Sequence, residues 1–261
     1  MRAIEIKAKL RKNLHPRVYR ALSKGYGYLR GSPKYDPPLD FDLALQEIGE
    51  PFASALASIY KGEPQMGENG RKYDVDPITK ISVQEGLYLY HTCRKANAQL
   101  TMEIGCAYGF STLYFLAAHA TNSAGRHVAI DPFESSSWHG IGVHKVAQVA
   151  MQERFRLVEE PSFFGIPLLM REGLRFDIIF IDGSHFFESA LMDFTLSANL
   201  CKMDGLIVLD DMWMPAIRKV VSFIRRNRPD FAEAPTSIEN ICVFRKVGED
   251  RRPWQHFEDF D

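Results

Sequence analysis

The chain is 261 residues long, with 46% hydrophobic and 25% charged residues, a globular composition with length enough for a sizeable core. It excludes a disordered chain and a disulfide-stapled miniprotein. Net charge is −1, which argues against a nucleic-acid binder, yet residues 1–30 hold nine Lys/Arg against one Glu, so a basic arm is attached to an acidic body.

Apolar runs stay under ten residues, too short for a bilayer span, and Met1 to Glu5 lacks a signal-peptide core. Cys93, Cys106, Cys201 and Cys242 are scattered without a C-x-x-C pair. They read as reduced thiols of a soluble, cytoplasmic protein, and neither a structural zinc site nor a disulfide framework is suggested.

In chain order, Ile6, Leu10, Leu14, Val18 and Leu22 recur every four residues, with Pro16 interrupting, which predicts two short basic amphipathic helices. Gly25 to Pro38 reads as a linker. A helical pattern follows at Leu45, Ile48, Phe52, Leu56 and Ile59. Residues 61–78, with three Gly and two Pro, read as a lid-length loop. From residue 79, short apolar runs alternate with helical segments, the pattern of a parallel sheet with crossover helices. Ser82 and Glu85 form a candidate capping box for a helix to about Ala96. Strands are expected at 100–104, 127–130, 155–158, 177–181 and 206–209. Helices are expected at 111–120, 141–151, 163–171, 186–201 and 215–226. Ala232 to Ala234 and Ile241 to Phe244 are too close for a helical crossover and predict an antiparallel pair closing the sheet.

Two constellations carry chemistry. Glu103-Ile104-Gly105-Cys106-Ala107-Tyr108-Gly109 lies between a predicted strand and helix, where glycines let backbone N–H groups approach a ligand. Its spacing departs from G-x-G-x-x-G, which disfavours a dehydrogenase. Asp131, 22 residues beyond Gly109, ends the next strand, where a carboxylate accepts from ribose hydroxyls. Together they indicate a nucleoside-containing cofactor; the plainer reading of Asp131 is a cap on the following turn. The second set is Asp182, with Asp210 and Asp211. They follow the fourth and fifth strands and fall at the carboxyl edge of the sheet, where ligands bind in open α/β folds. Carboxylates converging without a basic neighbour call for a hard divalent cation, with Mg²⁺ expected. The competing reading is that they cap a helix and end a strand. His185, expected at a helix start facing the same cleft, reads as a base kept neutral by the helix N-terminus. Tyr108, Trp138, His139, Phe186, Trp213 and the 61–78 loop are candidates to line an acceptor pocket.

These residues, with Ser111-Thr112, Asp131-Pro132-Phe133, the Asp182 to His185 run and the Leu209 to Pro215 run, resemble class I S-adenosylmethionine-dependent methyltransferases. Within that superfamily the chain is similar to metal-dependent O-methyltransferases of the macrocin and catechol types, over roughly residues 79–246. The resemblance implies a Rossmann-like, seven-stranded, mostly parallel sheet with helices on both faces; residues 1–78 match none of its motifs and read as a helical extension with lid loop, and residues 247–261 as a tail. It also implies that Gly105, Ala107, Gly109 and Ser111 border the methionine part of S-adenosylmethionine, Glu103 supports the loop, and Asp131 holds the ribose. By the same likeness Asp182, Asp210 and Asp211 bind the metal and His185 is the base. The macrocin type often has Glu at the position of Asp210, and the catechol type has Asn at that of Asp211. The expected activity is Mg²⁺-dependent O-methylation of a small-molecule hydroxyl, such as a sugar or glycosylated natural product. A catechol or phenol is the alternative acceptor, and a non-catalytic cofactor-binding scaffold the alternative class. No nucleic-acid partner and no transmembrane segment are expected; a homo-oligomer is, with the basic arm read as an oligomer contact or as docked onto the acidic body, and an anionic membrane surface or an acidic partner as the alternatives.

Overall fold

In the computed structural model, residues 41–260 are described; the predicted basic helices and the 25–38 linker lie outside them. Helices α1 (Phe41–Gln46) and α2 (Phe52–Tyr60) take the place of one continuous pattern. The break spans residues 47–51, with Gly49 at a left-handed φ of 78° and Pro51, whose ring lacks the N–H a helix interior needs, at the N-cap of α2. The 61–78 segment holds a small antiparallel pair, β1 (Gln65–Met66) and β2 (Lys72–Tyr73).

Helix α3 (Val83–Lys95) starts at the expected capping box: Ser82 Oγ accepts from the Glu85 N–H, and the Glu85 carboxylate accepts from the Ser82 N–H. Then follow β3 (Leu100–Ile104), α4 (Phe110–Thr121), β4 (Arg126–Ile130), α5 (Ile141–Gln148), β5 (Phe155–Val158), α6 (Ser162–Arg171), β6 (Phe176–Ile181), α7 (Phe187–Leu200), β7 (Cys201–Leu209), α8 (Pro215–Asn227), β8 (Phe231–Ala234) and β9 (Cys242–Lys246). The sheet order is β5-β4-β3-β6-β7-β9-β8. The first five strands run parallel, and β9 pairs antiparallel with both β7 and β8. This is the doubly wound sheet the alternating pattern predicts. Two lengths differ. α5 stops at Gln148, and Ala150 takes a left-handed φ of 55°. β7 begins five residues earlier than expected, through a register shift between Phe176 and Ile178 of its neighbour, which is how a polar stretch joins a buried strand.

Alternation along the strands feeds two cores. Ile178, Phe180 and Val208 face one core with α1 to α5, including Leu45, Phe52, Leu56, Leu89 and Phe115. Ile179, Ile181, Ile207 and Leu209 face the other, with Ile166 and Leu169 of α6, Phe194 of α7, and Val220 and Ile224 of α8. The described part of the N-terminal extension therefore shares the core of the sheet. All four cysteines are buried and free. Among the described residues no helix is long and apolar enough to cross a membrane.

Candidate functional site

The ends of β3, β4, β6 and β7 bring the two constellations to one edge of the sheet. After β3 the chain turns through Gly105 (φ 95°), Ala107 (φ 47°) and Gly109 (φ 82°), the last capping α4. A Cβ on Gly105 would overlap the carbonyl oxygen of Asp182, and one on Gly109 would lie 3.1 Å from Cα of Gly142. The loop is thus clamped between the β6 end and the start of α5, and at Gly105 only glycine fits both φ and space. Ser111 is buried in the first turn of α4.

Glu103 lies fully buried under this loop and accepts from Thr112 Oγ1. His127 Nε2 stands 3.1 Å from Glu103 Oε1, off the angle a hydrogen bond needs, and Thr101 Oγ1 links the His127 and His119 rings at 2.8 Å each. Burial lowers His119 to about 4, with His127 adding to the effect. Asp131 is held from four directions: Oδ2 accepts from Cys106 N (3.0 Å) and Ala107 N (2.9 Å), Oδ1 from Phe133 N (2.9 Å) and Trp138 Nε1 (3.2 Å). A carboxylate has about four lone-pair sites, so in this conformation Asp131 organises the glycine loop, and a ribose hydroxyl would share an oxygen with one of these donors.

On the other strands, Asp182 N donates to Ile104 O (3.0 Å) and Asp210 N to Ile181 O (3.1 Å), carrying the ladder just past the strand ends. Asp182, His185 and Asp211 each turn one ligand atom inward, all within 4.8 Å of one another. His185 Nε2 lies 2.7 Å from Asp211 Oδ2 and 3.6 Å from Asp182 Oδ1. Asp211, in a left-handed turn (φ 60°), also accepts from Trp213 Nε1 at 2.7 Å. Asp210 does not join this set. Its Oδ1 accepts from Asp211 N (2.7 Å) and Asn240 Nδ2 (2.8 Å), beneath the cluster.

The charges follow from this packing. Burial pushes Asp182 up to about 7, with repulsion from Asp211 adding to it. Burial also raises Asp210 well above the carboxylate range, helped by Asp182, Glu85 and Asp211. For Asp211 the burial penalty is outweighed by His185 and Trp213, and its carboxyl sits below the usual range. Burial would lower His185, but the hydrogen bonds and charges of Asp182 and Asp211 hold it at about 10. The expectation that a helix N-terminus keeps His185 neutral is therefore corrected. α7 starts only at Phe187, and two adjacent carboxylates outweigh a helix end. Asp182 does not cap α7 either, whose N-cap is Phe186 without a side-chain cap.

The proposed acceptor-pocket aromatics fall into two groups. Tyr108 packs edge-on against Trp138 (5.2 Å), and Tyr73 of β2 stacks on His139 (3.8 Å), joining the hairpin to the turn beyond Asp131. Phe186 and Trp213, 60% and 42% exposed, instead flank the acidic cluster in sequence. Sequence reasoning missed Glu134 and Asn240. Glu134 is buried, accepts from Val143 N at 3.1 Å at the start of α5, and is pushed by burial up to about 8. A glutamate in a serine-rich turn carries no periodic signal, and Asn240 acts on groups far away in sequence.

Residues 102–212 match the model of a family described as a methyltransferase domain. No curated protein matches the sequence significantly. In fold the chain is similar to the O-methyltransferase from Bacillus cereus in complex with SAH, at 17% identity and a TM-score of 0.56, covering 87% of this chain and 97% of that one. It is also similar to the O-methyltransferase TomG from Streptomyces achromogenes, involved in tomaymycin synthesis and solved with SAM (18%, TM-score 0.55, 90% and 100% covered), and to cofactor-bound Rv0187 from MTB (19%, TM-score 0.59, 85% and 96%). Residues 102–212 thus resemble a methyltransferase domain, and the chain has the class I methyltransferase fold.

Proposed function

We propose that this chain, built around a methyltransferase domain, transfers a methyl group from S-adenosylmethionine to a hydroxyl of a small-molecule acceptor, with Asp182 and Asp211 holding a divalent cation of the magnesium class. The observation that carries this reading is the convergence of Asp182, His185 and Asp211 directly against Gly105 of the glycine loop. Structures of similar fold hold SAM or SAH, which supports the cofactor.

The residues fit a cation. Two carboxylates converge with one imidazole, and without a cation their repulsion is relieved by a protonated His185 and by the raised carboxyl of Asp182. Hard cations take one or two protein carboxylates and complete their shell with water or substrate oxygens; the imidazole also suits Mn²⁺.

In the reaction the cofactor would lie along the glycine loop, whose conformation Glu103 and Asp131 hold from below through Thr112 and the N–H groups of Cys106 and Ala107. When bound, S-adenosylmethionine supplies an electrophilic methyl on sulfonium, and a divalent cation supplies Lewis-acid stabilisation of the oxyanion that develops on the acceptor. An aliphatic hydroxyl with a pKa near that of water, about 15.7, lies some 9 units above an ordinary histidine at about 6.5, a gap of about 12 kcal/mol. General-base catalysis contributes about 10²- to 10⁴-fold and cannot span it alone. His185 Nε2 takes the hydroxyl proton only after shedding its own, which happens once the charge of Asp182 and Asp211 is engaged elsewhere. Phe186 and Trp213 offer apolar faces for a sugar ring or a phenol.

Turnover against a panel of sugar and phenolic acceptors, with and without chelator, tests the proposal. Asp182→Ala and Asp211→Ala are expected to abolish chelator-sensitive activity. Unchanged turnover and chelator response in both variants would remove the metal from the reading. Full activity in His185→Ala would reduce that residue to a structural role.

A further inference from the structure

A buried polar bridge runs under the acidic cluster. Asn240, at the end of the β8–β9 connection, is 9% exposed. Its Nδ2 donates to Asp210 Oδ1 at 2.8 Å and to Glu85 Oε1 at 2.7 Å. Both carboxylates are almost fully buried, Glu85 at 1% and Asp210 at 5%, so the two hydrogens of one amide are what separates them. The same Asp210 oxygen accepts from Asp211 N at 2.7 Å, inside the left-handed turn that aims the Asp211 side chain at His185. Glu85 Oε2 is meanwhile occupied by Ser82 N of the capping box. The backbone oxygen of Asn240 accepts from Met212 N at 2.9 Å, a bond any residue at 240 retains.

We infer that Asn240 is a positioning residue of the metal centre: through Asp210 it fixes the turn that presents Asp211, and through Glu85 it ties that turn to the start of α3. The inference rests on the reading that Asp182 and Asp211 hold a cation. Asp210 is then a support within the centre, bridged to Glu85 by a donor that offsets part of their repulsion and that only an amide side chain of this length offers. Groups that orient ligands from outside the coordination shell typically contribute 10- to 100-fold to metal affinity.

The experiment titrates Mn²⁺ into the full-length protein by calorimetry, with the paramagnetic resonance signal of bound Mn²⁺ as a second readout. S-adenosylhomocysteine affinity and the melting temperature are measured on the same samples. Asn240→Leu is expected to weaken Mn²⁺ binding by about 10- to 100-fold and broaden the bound signal, with S-adenosylhomocysteine affinity held within about twofold. Should Asn240→Leu fail to fold, the isosteric Asn240→Asp, which sets a third carboxyl beside Asp210 and Glu85, is expected to show the same loss. A folded variant that melts lower but binds Mn²⁺ like wild type would overturn the inference and leave the metal reading intact. No Mn²⁺ binding by wild type would instead overturn the metal reading and the inference with it, and Asp182→Ala separates binding at this centre from binding elsewhere.

Discussion

Glu134 illustrates what a single buried carboxyl does to this molecule. It is 1% exposed, its Oε1 accepts from Val143 N, its Oε2 has no hydrogen-bond partner, and Asp131 and Glu68 face it as further acids. Burial is the main cause of its rise from 4.5 to about 8. An acid whose folded pKa is raised contributes fully below its unfolded value and loses that contribution as pH climbs through the folded one. Wild type is therefore expected to lose stability between about pH 4.5 and 8 through this group. Glu134→Gln removes the penalty, so its stability relative to wild type should grow across that window, by an amount on the order of a few kcal/mol at full ionisation. Urea unfolding of both proteins at pH 5, 6.5 and 8 checks this, and a difference independent of pH would refute it. His185 has the opposite polarity of effect on ligand binding. Its proton, held at about 10 by Asp182 and Asp211, competes with any cation in the cluster, so metal affinity should rise with pH, by about tenfold per unit for one displaced proton. Calorimetric titration of Mn²⁺ at pH 6.5 and 8.0 would detect it, and equal affinities would mean that the cation binds without displacing that proton.

At the scale of elements, the strand–loop–helix unit of β3, Gly105 to Gly109 and α4 carries the closest packing at the site. Gly105→Ala places a Cβ onto the Asp182 carbonyl at φ 95°, so both the cofactor loop and the acidic turn must move. A loss on the order of 2–4 kcal/mol in S-adenosylhomocysteine affinity is expected. Gly173→Ala, at φ 73° with open space around it, is the control, since it carries only the backbone strain of about 1–2 kcal/mol and lies away from the loop. Equal cofactor affinity in the two variants would sink the clamp. The elements themselves were largely legible in the sequence because buried parallel strands are short apolar runs and their helices are longer periodic ones. Leu100 to Ile104 and Phe155 to Val158 emerge with their expected bounds. What was not legible depended on partners: the extra residues of β7 join through a register shift against β6, and the early stop of α5 lacks a glycine to mark it. The acidic residues at the strand ends were visible as residues. That Asp211 meets Asp182 and His185 while Asp210 turns down to Asn240 is decided by a left-handed turn that composition cannot announce.

Across the molecule, the two cores meet the site from opposite sides, and the C-terminal segment braces one of them. Asn227, at the end of α8 and 1% exposed, donates from Nδ2 to Glu258 O and accepts from Glu258 N, each at 2.8 Å, while its own carbonyl accepts from Arg252 Nη1 at 2.6 Å. Phe260 packs edge-on against Phe223 of α8 (5.4 Å) and stacks near Phe187 (6.4 Å), the first residue of α7 and two beyond His185. Deleting residues 250–261 removes these bonds and leaves a buried amide and part of two aromatic faces to water. At about 1 kcal/mol per hydrogen bond and about 25 cal/mol per Å² of apolar surface, the loss is on the order of 3 kcal/mol, or several degrees in Tm for a protein of this size. Because the brace ends on α7 and α8, the KM for acceptor should rise in the truncated protein. With the cofactor at β3 and β4 as proposed, on the other side of β6, its affinity should hold. Thermal melts and S-adenosylhomocysteine calorimetry on the truncated chain separate the two effects. A parallel fall in cofactor affinity would mean that the tail supports the sheet as a whole rather than the acceptor side of the cleft.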